Sequence, residues 1–207
     1  LYEDLHLIFY YITVVAVFFL FFSFNSDFSK NLLSLSSSMS NIGFSLDFEQ
    51  SNLNLIYLIL VIIGGSFFST SSGLRFIKIY SLFRYSLNQI LSFSKPKNIF
   101  INKLNFAKIN FDFKEINKYF LTILIFIISL FTLSILLSFS LLDFESAFKL
   151  SILTIMNTVN SSAYGLADFD FYNLNFFTKN CLILFMIIGR IELLTVLIII
   201  KNFLFKD

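Results

Sequence analysis

Long uncharged stretches alternate with shorter mixed ones along this chain, and the long ones match the length of a bilayer crossing. About 20 mostly apolar residues cover a hydrocarbon core roughly 30 Å thick. Four runs qualify: 5–26, 50–74, 119–142 and 180–200. The third is the cleanest, a Leu/Ile/Phe run between Lys118 and Asp143. The second turns polar toward its end, IGGSFFSTSSG, and the fourth holds Arg190 and Glu192 near its middle. A charge facing lipid there costs several kcal/mol, at least about 2.5 on insertion scales, so that helix is expected to face protein or water.

Between the runs of each pair lies a stretch too polar to cross and too apolar for an ordinary loop, the mark of a re-entrant segment. These are 27–48 and 143–170. Both open on an Asp-Phe pair, Asp27-Phe28 and Asp143-Phe144, and both close in Ser, Asn and a Gly. Each leads into an apolar helix that reaches Ile-Gly, at Ile63-Gly64 and Ile188-Gly189. The chain therefore reads as an all-α membrane protein. Its two repeats are each a transmembrane helix, a re-entrant pore helix with a filter strand, and a second transmembrane helix: 1–90, a cytoplasmic linker 91–117, and 118–207.

Composition agrees. The 207 residues are 57% hydrophobic and 14% charged, where soluble domains carry about 25% charge; mean hydropathy is +0.82. A single cysteine, Cys181, excludes an internal disulfide, and a single histidine, His6, builds no triad or zinc site alone. A net charge of +2 gives no nucleic-acid footprint. An enzyme is not expected, nor any cofactor. A start on Leu1 points to a fragment or a processed chain, and no cleavable signal peptide is recognisable. Nine of the fifteen basic residues fall between Arg75 and Lys118, which places that loop and both termini in the cytoplasm. The outer connections lean acidic, through Asp27, Asp47, Glu49, Asp143, Glu145, Asp168 and Asp170. That asymmetry either attracts cations or simply follows from topology.

The chemistry of the repeated unit is cation handling. A short helix stopping near mid-membrane points the negative end of its dipole at the axis, and a returning strand turns carbonyls inward to replace a cation's hydration shell. The first filter candidate is Asn41, Ile42, Gly43 and Phe44, with Gly43 supplying the unusual backbone angle. The second is Ser162, Ala163, Tyr164 and Gly165: Ala163 takes the filter position without a shift, Gly165 with a shift of two. Either segment also reads as a Ser/Asn-rich outer loop.

Three stretches carry a family likeness: Ser40-Asn41-Ile42-Gly43-Phe44, the loop Ile63 to Arg75, and Gly189-Arg190-Ile191-Glu192-Leu193-Leu194-Thr195. The chain resembles the Trk/Ktr/HKT superfamily of potassium transporters, and within it the third and fourth repeats of the Trk-type bacterial membrane subunit. The resemblance implies potassium at the Gly43 and Ala163 carbonyls, with sodium as the alternative ion. It implies a gate loop including Gly64, Gly65, Ser66, Ser69, Thr70 and Gly73, and a pore arginine, Arg190. Phe68 and Ser72 stand where the family usually has Gly. As partners it implies a homodimer or the missing N-terminal half, and a cytosolic nucleotide-binding regulatory subunit; as location, the bacterial inner membrane. The alternative functions are a non-conducting half-transporter or scaffold, and the pore subunit of a related potassium pump.

Overall fold

The computed structural model describes residues 2–22, 28–43, 53–64, 74–94, 113–140, 142–158, 164–166, 169–172, 174–190, 198–199 and 201–203. They are mostly helical: α1 (Tyr2–Phe22), α2 (Phe28–Ser40), α3 (Asn54–Ile62), α4 (Phe76–Ser94), α5 (Phe113–Ser138), α6 (Phe144–Met156) and α7 (Phe176–Arg190). Two short strands, β1 (Ile63–Gly64) and β2 (Leu74–Arg75), pair in parallel, Ile63 with Leu74 and Gly64 with Arg75.

One helix among the described residues, α5, is long and apolar enough to cross a membrane, over Lys114–Ser138. At 1.5 Å per residue it is about 39 Å long. It begins before the expected boundary at Tyr119 and stops short of Leu142. The run 50–74 is not one continuous helix: α3 has nine residues, about 14 Å, and the chain leaves helical geometry at Ile63-Gly64. Adjacent Gly64 and Gly65 followed by a Ser/Thr cluster account for the break, because Gly has little to gain from helix and Ser and Thr compete for its backbone bonds. Run 5–26 holds α1, whose apolar stretch Leu5–Phe21 falls in a shorter class. In run 180–200 the described helical residues are those of α7 up to Arg190 and 198–199. The linker drawn at 91–117 also shortens, since α4 runs to Ser94 and α5 starts at Phe113.

The packing buries small hydroxyls within an apolar core and leaves large apolar side chains outside. Large side chains on α1 and α5, among them Phe9, Leu20, Phe21, Phe120 and Ile135, are exposed, while Ser38, Ser81, Ser134, Ser151, Thr154 and Thr178 are buried. Two of these hydroxyls meet a hydroxyl on another segment: Ser134 and Ser151 at 2.7 Å, and Thr178 and Ser140 at 3.0 Å. Small hydroxylated residues at helix contacts with bulky apolar ones outside are what packing in lipid favours, where apolar surface gains nothing by hiding. The apolar core runs from Leu35 and Val61 through Leu133 and Leu137 to Ile155 and Tyr164.

The helices pack in two similar sets. In the first, α2 lies against α1 and α3; in the second, α6 lies against α5 and α7. Contacts of α3 with α6 and of α4 with α5 join the sets.

Candidate functional site

Each set contains a 13-residue helix of about 20 Å, two thirds of a bilayer core, starting on the Phe of an Asp-Phe pair. Both helices end in the same way. Asn41 and Asn157 take left-handed angles, φ 55° and φ 56°. In the first set the Ile42 amide donates to Ser37 O at 3.2 Å and the Asn41 amide to Ser38 O at 3.4 Å. In the second the Thr158 amide donates to Leu153 O at 3.0 Å and the Asn157 amide to Thr154 O at 3.1 Å. This is a Schellman ending, and Asn is the residue other than Gly that most readily enters it. The Tyr11 hydroxyl donates to Met39 O at 3.2 Å, and the Asn157 side-chain amide to Met186 O at 3.0 Å. The helix ends are thus tied to α1 in one set and to α7 in the other.

A left-handed glycine follows each ending: Gly43 with φ 77° and Gly165 with φ 77°. Gly43 is buried beside exposed Ile42. The two glycines agree in angle and differ in register, because Gly43 lies two residues past Asn41 and Gly165 eight past Asn157. Matching the helix ends puts Val159 opposite Gly43. Val159, Phe44, Ser162 and Ala163 lie outside the described residues, as do Gly65, Ser66, Ser69, Thr70 and Gly73.

Gly165 sits in a tight corner. A Cβ there would come within 2.6 Å of Asn54 Nδ2 and 3.2 Å of Lys149 Nζ, so the second loop closes against the start of α3 and the first half of α6. Lys149 also binds Glu145 one turn earlier, at 2.5 Å. That hydrogen bond, and the ammonium charge behind it, hold the Glu145 carboxyl below its ordinary range. The neighbouring residue, Tyr164, is almost wholly buried, and its hydroxyl lies 3.3 Å from Ser38 Oγ on α2. Ser38 donates its one hydrogen to Ser34 O at 2.8 Å, so Tyr164 is the donor to Ser38. This bond joins the second loop to the first short helix, bringing together two regions 126 residues apart.

Gly64 is placed in β1, and Leu74-Arg75 lie beside Ile63-Gly64 in parallel just before α4. Arg190 closes α7 in an exposed position. The glycine before it has a packing reason of its own: a Cβ on Gly189 would lie 2.2 Å from Ile155 O, so α6 and α7 touch backbone to backbone there.

Sequence reasoning did not single out Asn157, Ser38, Asn54 or Lys149. An Asn closing an apolar helical run is a readable stop signal; the other three reveal themselves only in three dimensions. No group of His, Cys, Asp and Glu able to hold a metal ion occurs among the described residues. No family model matches the chain, and no curated protein is similar to it.

Proposed function

We propose that the chain is a multi-pass membrane subunit of a potassium uptake system, conducting monovalent cations without performing catalysis. The observation that carries this reading is the doubled unit of a helix too short to cross, a left-handed Asn ending and a left-handed glycine beyond it. A cation stripped of water needs several oxygen dipoles, and backbone at positive φ is how a short return segment aims consecutive carbonyls to one side. Gly43 holds that conformation in the first unit, and Gly165 in the second, where Ala163 is the other filter candidate. Potassium fits the family likeness, with sodium as the competing ion.

The break at Ile63–Arg75 supports a gate. Non-helical backbone at membrane depth is tolerated only where protein or a water-filled cavity surrounds it. Residues 65–73, rich in Ser and Thr, would occupy the path below the filter, and Arg190 would add an electrostatic barrier beside it. The loop between α4 and α5, with Lys95, Lys97, Lys103 and Lys108, faces the cytoplasm of a bacterial inner membrane. It is the natural contact for the nucleotide-binding regulatory subunit that the likeness implies.

Potassium and sodium uptake into liposomes tests the proposal. The wild-type chain should carry potassium faster than sodium. In Gly43→Ser, a left-handed non-glycine residue costs about 1–2 kcal/mol, which should cut the preference about tenfold. Arg190→Ala should raise the flux of both ions. A chain that carries neither ion, in any of the three forms, is a scaffold instead.

A further inference from the structure

The apolar helix that follows each short helix reaches Ile-Gly, at Ile63-Gly64 and Ile188-Gly189, and only one of the two continues through it. α3 stops at Ile62 and its Ile-Gly forms β1, whereas α7 stays helical past Gly189 to Arg190. Glycine is a weak helix former at both places, so its own preference does not decide between them. What differs is which neighbour the end of each short helix holds.

Matching Asn41 with Asn157 pairs Met39 with Ile155, two residues before each ending. The Met39 carbonyl accepts the Tyr11 hydroxyl, so in the first set this position is tied to the preceding helix, α1. The Ile155 carbonyl meets the following helix instead, because a Cβ on Gly189 would lie 2.2 Å from it. Two residues on, the Asn157 side-chain amide donates to Met186 O at 3.0 Å. Both contacts come from the point where α6 stops, and both bear on one turn of α7, residues 186–190. In helical geometry Met186 O is also the acceptor of the Arg190 amide, and a carbonyl has two lone pairs to share. Residues four apart lie on one helix face, so Arg190 stands one turn beyond Met186 on the same side of α7. Earlier turns are anchored too: Thr178 and Leu182 are buried, and the Thr178 hydroxyl lies 3.0 Å from that of Ser140.

We propose that Asn157 is a positioning residue for Arg190. Its backbone ends α6 at φ 56°, and its side chain carries α7 through the glycine, which fixes the height of Arg190 against the start of the second return segment. The first set makes its tie to α1 and its following helix ends at the equivalent Ile-Gly. One unit therefore supplies the break and the other supplies a held arginine. The inference rests on the transport reading for what Arg190 does there, and deepens it by naming the residue that sets the barrier's place.

Asn157→Gly tests it, because glycine keeps the left-handed ending and removes only the side-chain tie. In lipid nanodiscs, hydrogen exchange at the Ile188, Gly189 and Arg190 amides should become about fivefold faster, the effect of one lost hydrogen bond. The amides of α6 up to Thr158 should keep their protection. In liposomes, potassium flux through Asn157→Gly should rise toward that of Arg190→Ala, and in an Arg190→Ala background Asn157→Gly should add nothing. Unchanged exchange at 188–190 overturns the proposal. So does an equal gain in flux from Asn157→Gly with and without Arg190, or no gain in a chain whose Arg190→Ala variant conducts more. Faster exchange in a chain that carries no ion in any form would defeat the transport reading and leave the tie to the Arg190 turn standing. Unchanged exchange in a chain that conducts potassium would do the reverse.

Discussion

The two short helices α2 and α6 have the same length, the same kind of start and the same ending, and almost opposite side chains. In α6 the eight buried residues are Ala147, Leu150, Ser151, Ile152, Leu153, Thr154, Ile155 and Met156, an unbroken block through its second half. In α2 they are Asn31, Leu35, Ser37, Ser38 and Met39, interleaved with exposed serines. The difference separates two kinds of information. Backbone plan is carried by few residues, an Asp-Phe entry, an Asn exit and a Gly beyond it. Side-chain content records the neighbours: α6 is packed among α3, α5 and α7, whereas α2 packs mainly on α3 and, less extensively, on α1.

The largest effect that would sharpen this contrast lies at Gly189. Any side chain there must push α7 away from the Ile155 carbonyl, and overpacking of this kind costs about 1–3 kcal/mol even when the backbone yields. Gly189→Val should therefore lower the unfolding midpoint in detergent titration more than any other substitution named here. A midpoint unchanged from wild type would mean that α6 and α7 do not meet so closely.

Next come the helix endings. Asn157→Ala should lose about 1–2 kcal/mol for the left-handed backbone, and about 1 kcal/mol more for the amide bond to Met186 O. Asn41→Ala should likewise lose about 1–2 kcal/mol for the left-handed backbone. Glycine at either position should restore the backbone portion, and no recovery with glycine would break the shared-ending comparison.

Tyr164→Phe should cost about 1 kcal/mol, since it leaves Ser38 with its own bond to Ser34 O and removes only the bond between the sets. Ser38→Ala in the same background should then add little, and additive losses would show that the two hydroxyls do not meet.

The smallest effect is that of pH on Glu145. Its carboxyl titrates lower in the folded chain than when free, so the stabilisation from Lys149 is complete above the ordinary glutamate range. It fades as pH falls through the lowered value. Glu145 is open to solvent, so the loss should be slight and should vanish in Glu145→Gln.

Much of the helical plan was legible in the residues. The Asp-Phe pairs mark where α2 and α6 begin, and the polar Gly64-to-Gly73 stretch marks where α3 stops. What was not legible has physical reasons. Hydropathy over 50–74 is uniformly uncharged, so a window of that length sees one span, although the two adjacent glycines end the helix after nine residues. Reading the second filter at Ala163 without a shift, or at Gly165 with a shift of two, made no use of where the preceding helix stops. The stop is fixed by Asn157, and the loop beyond it is six residues longer than the loop beyond Asn41. The Gly165 corner with Asn54 and Lys149, and the Ser38–Tyr164 bond, depend on packing between sets, which no local pattern encodes.

The central claim is that each short helix enters the membrane and returns to the side it came from, and labelling of single cysteines in sealed vesicles tests it most directly. In a Cys181→Ser background, an impermeant maleimide is applied from either side to Ser29→Cys and Leu55→Cys, which flank α2 and its return, and to Asp143→Cys and Tyr172→Cys, which flank α6. Phe93→Cys and Glu115→Cys mark the loop between the sets. The account predicts that the first four react from the outer side and the last two from the inner side alone. Reaction of Ser29→Cys and Leu55→Cys from opposite sides would make α2 a crossing, and the repeated unit described here would not exist.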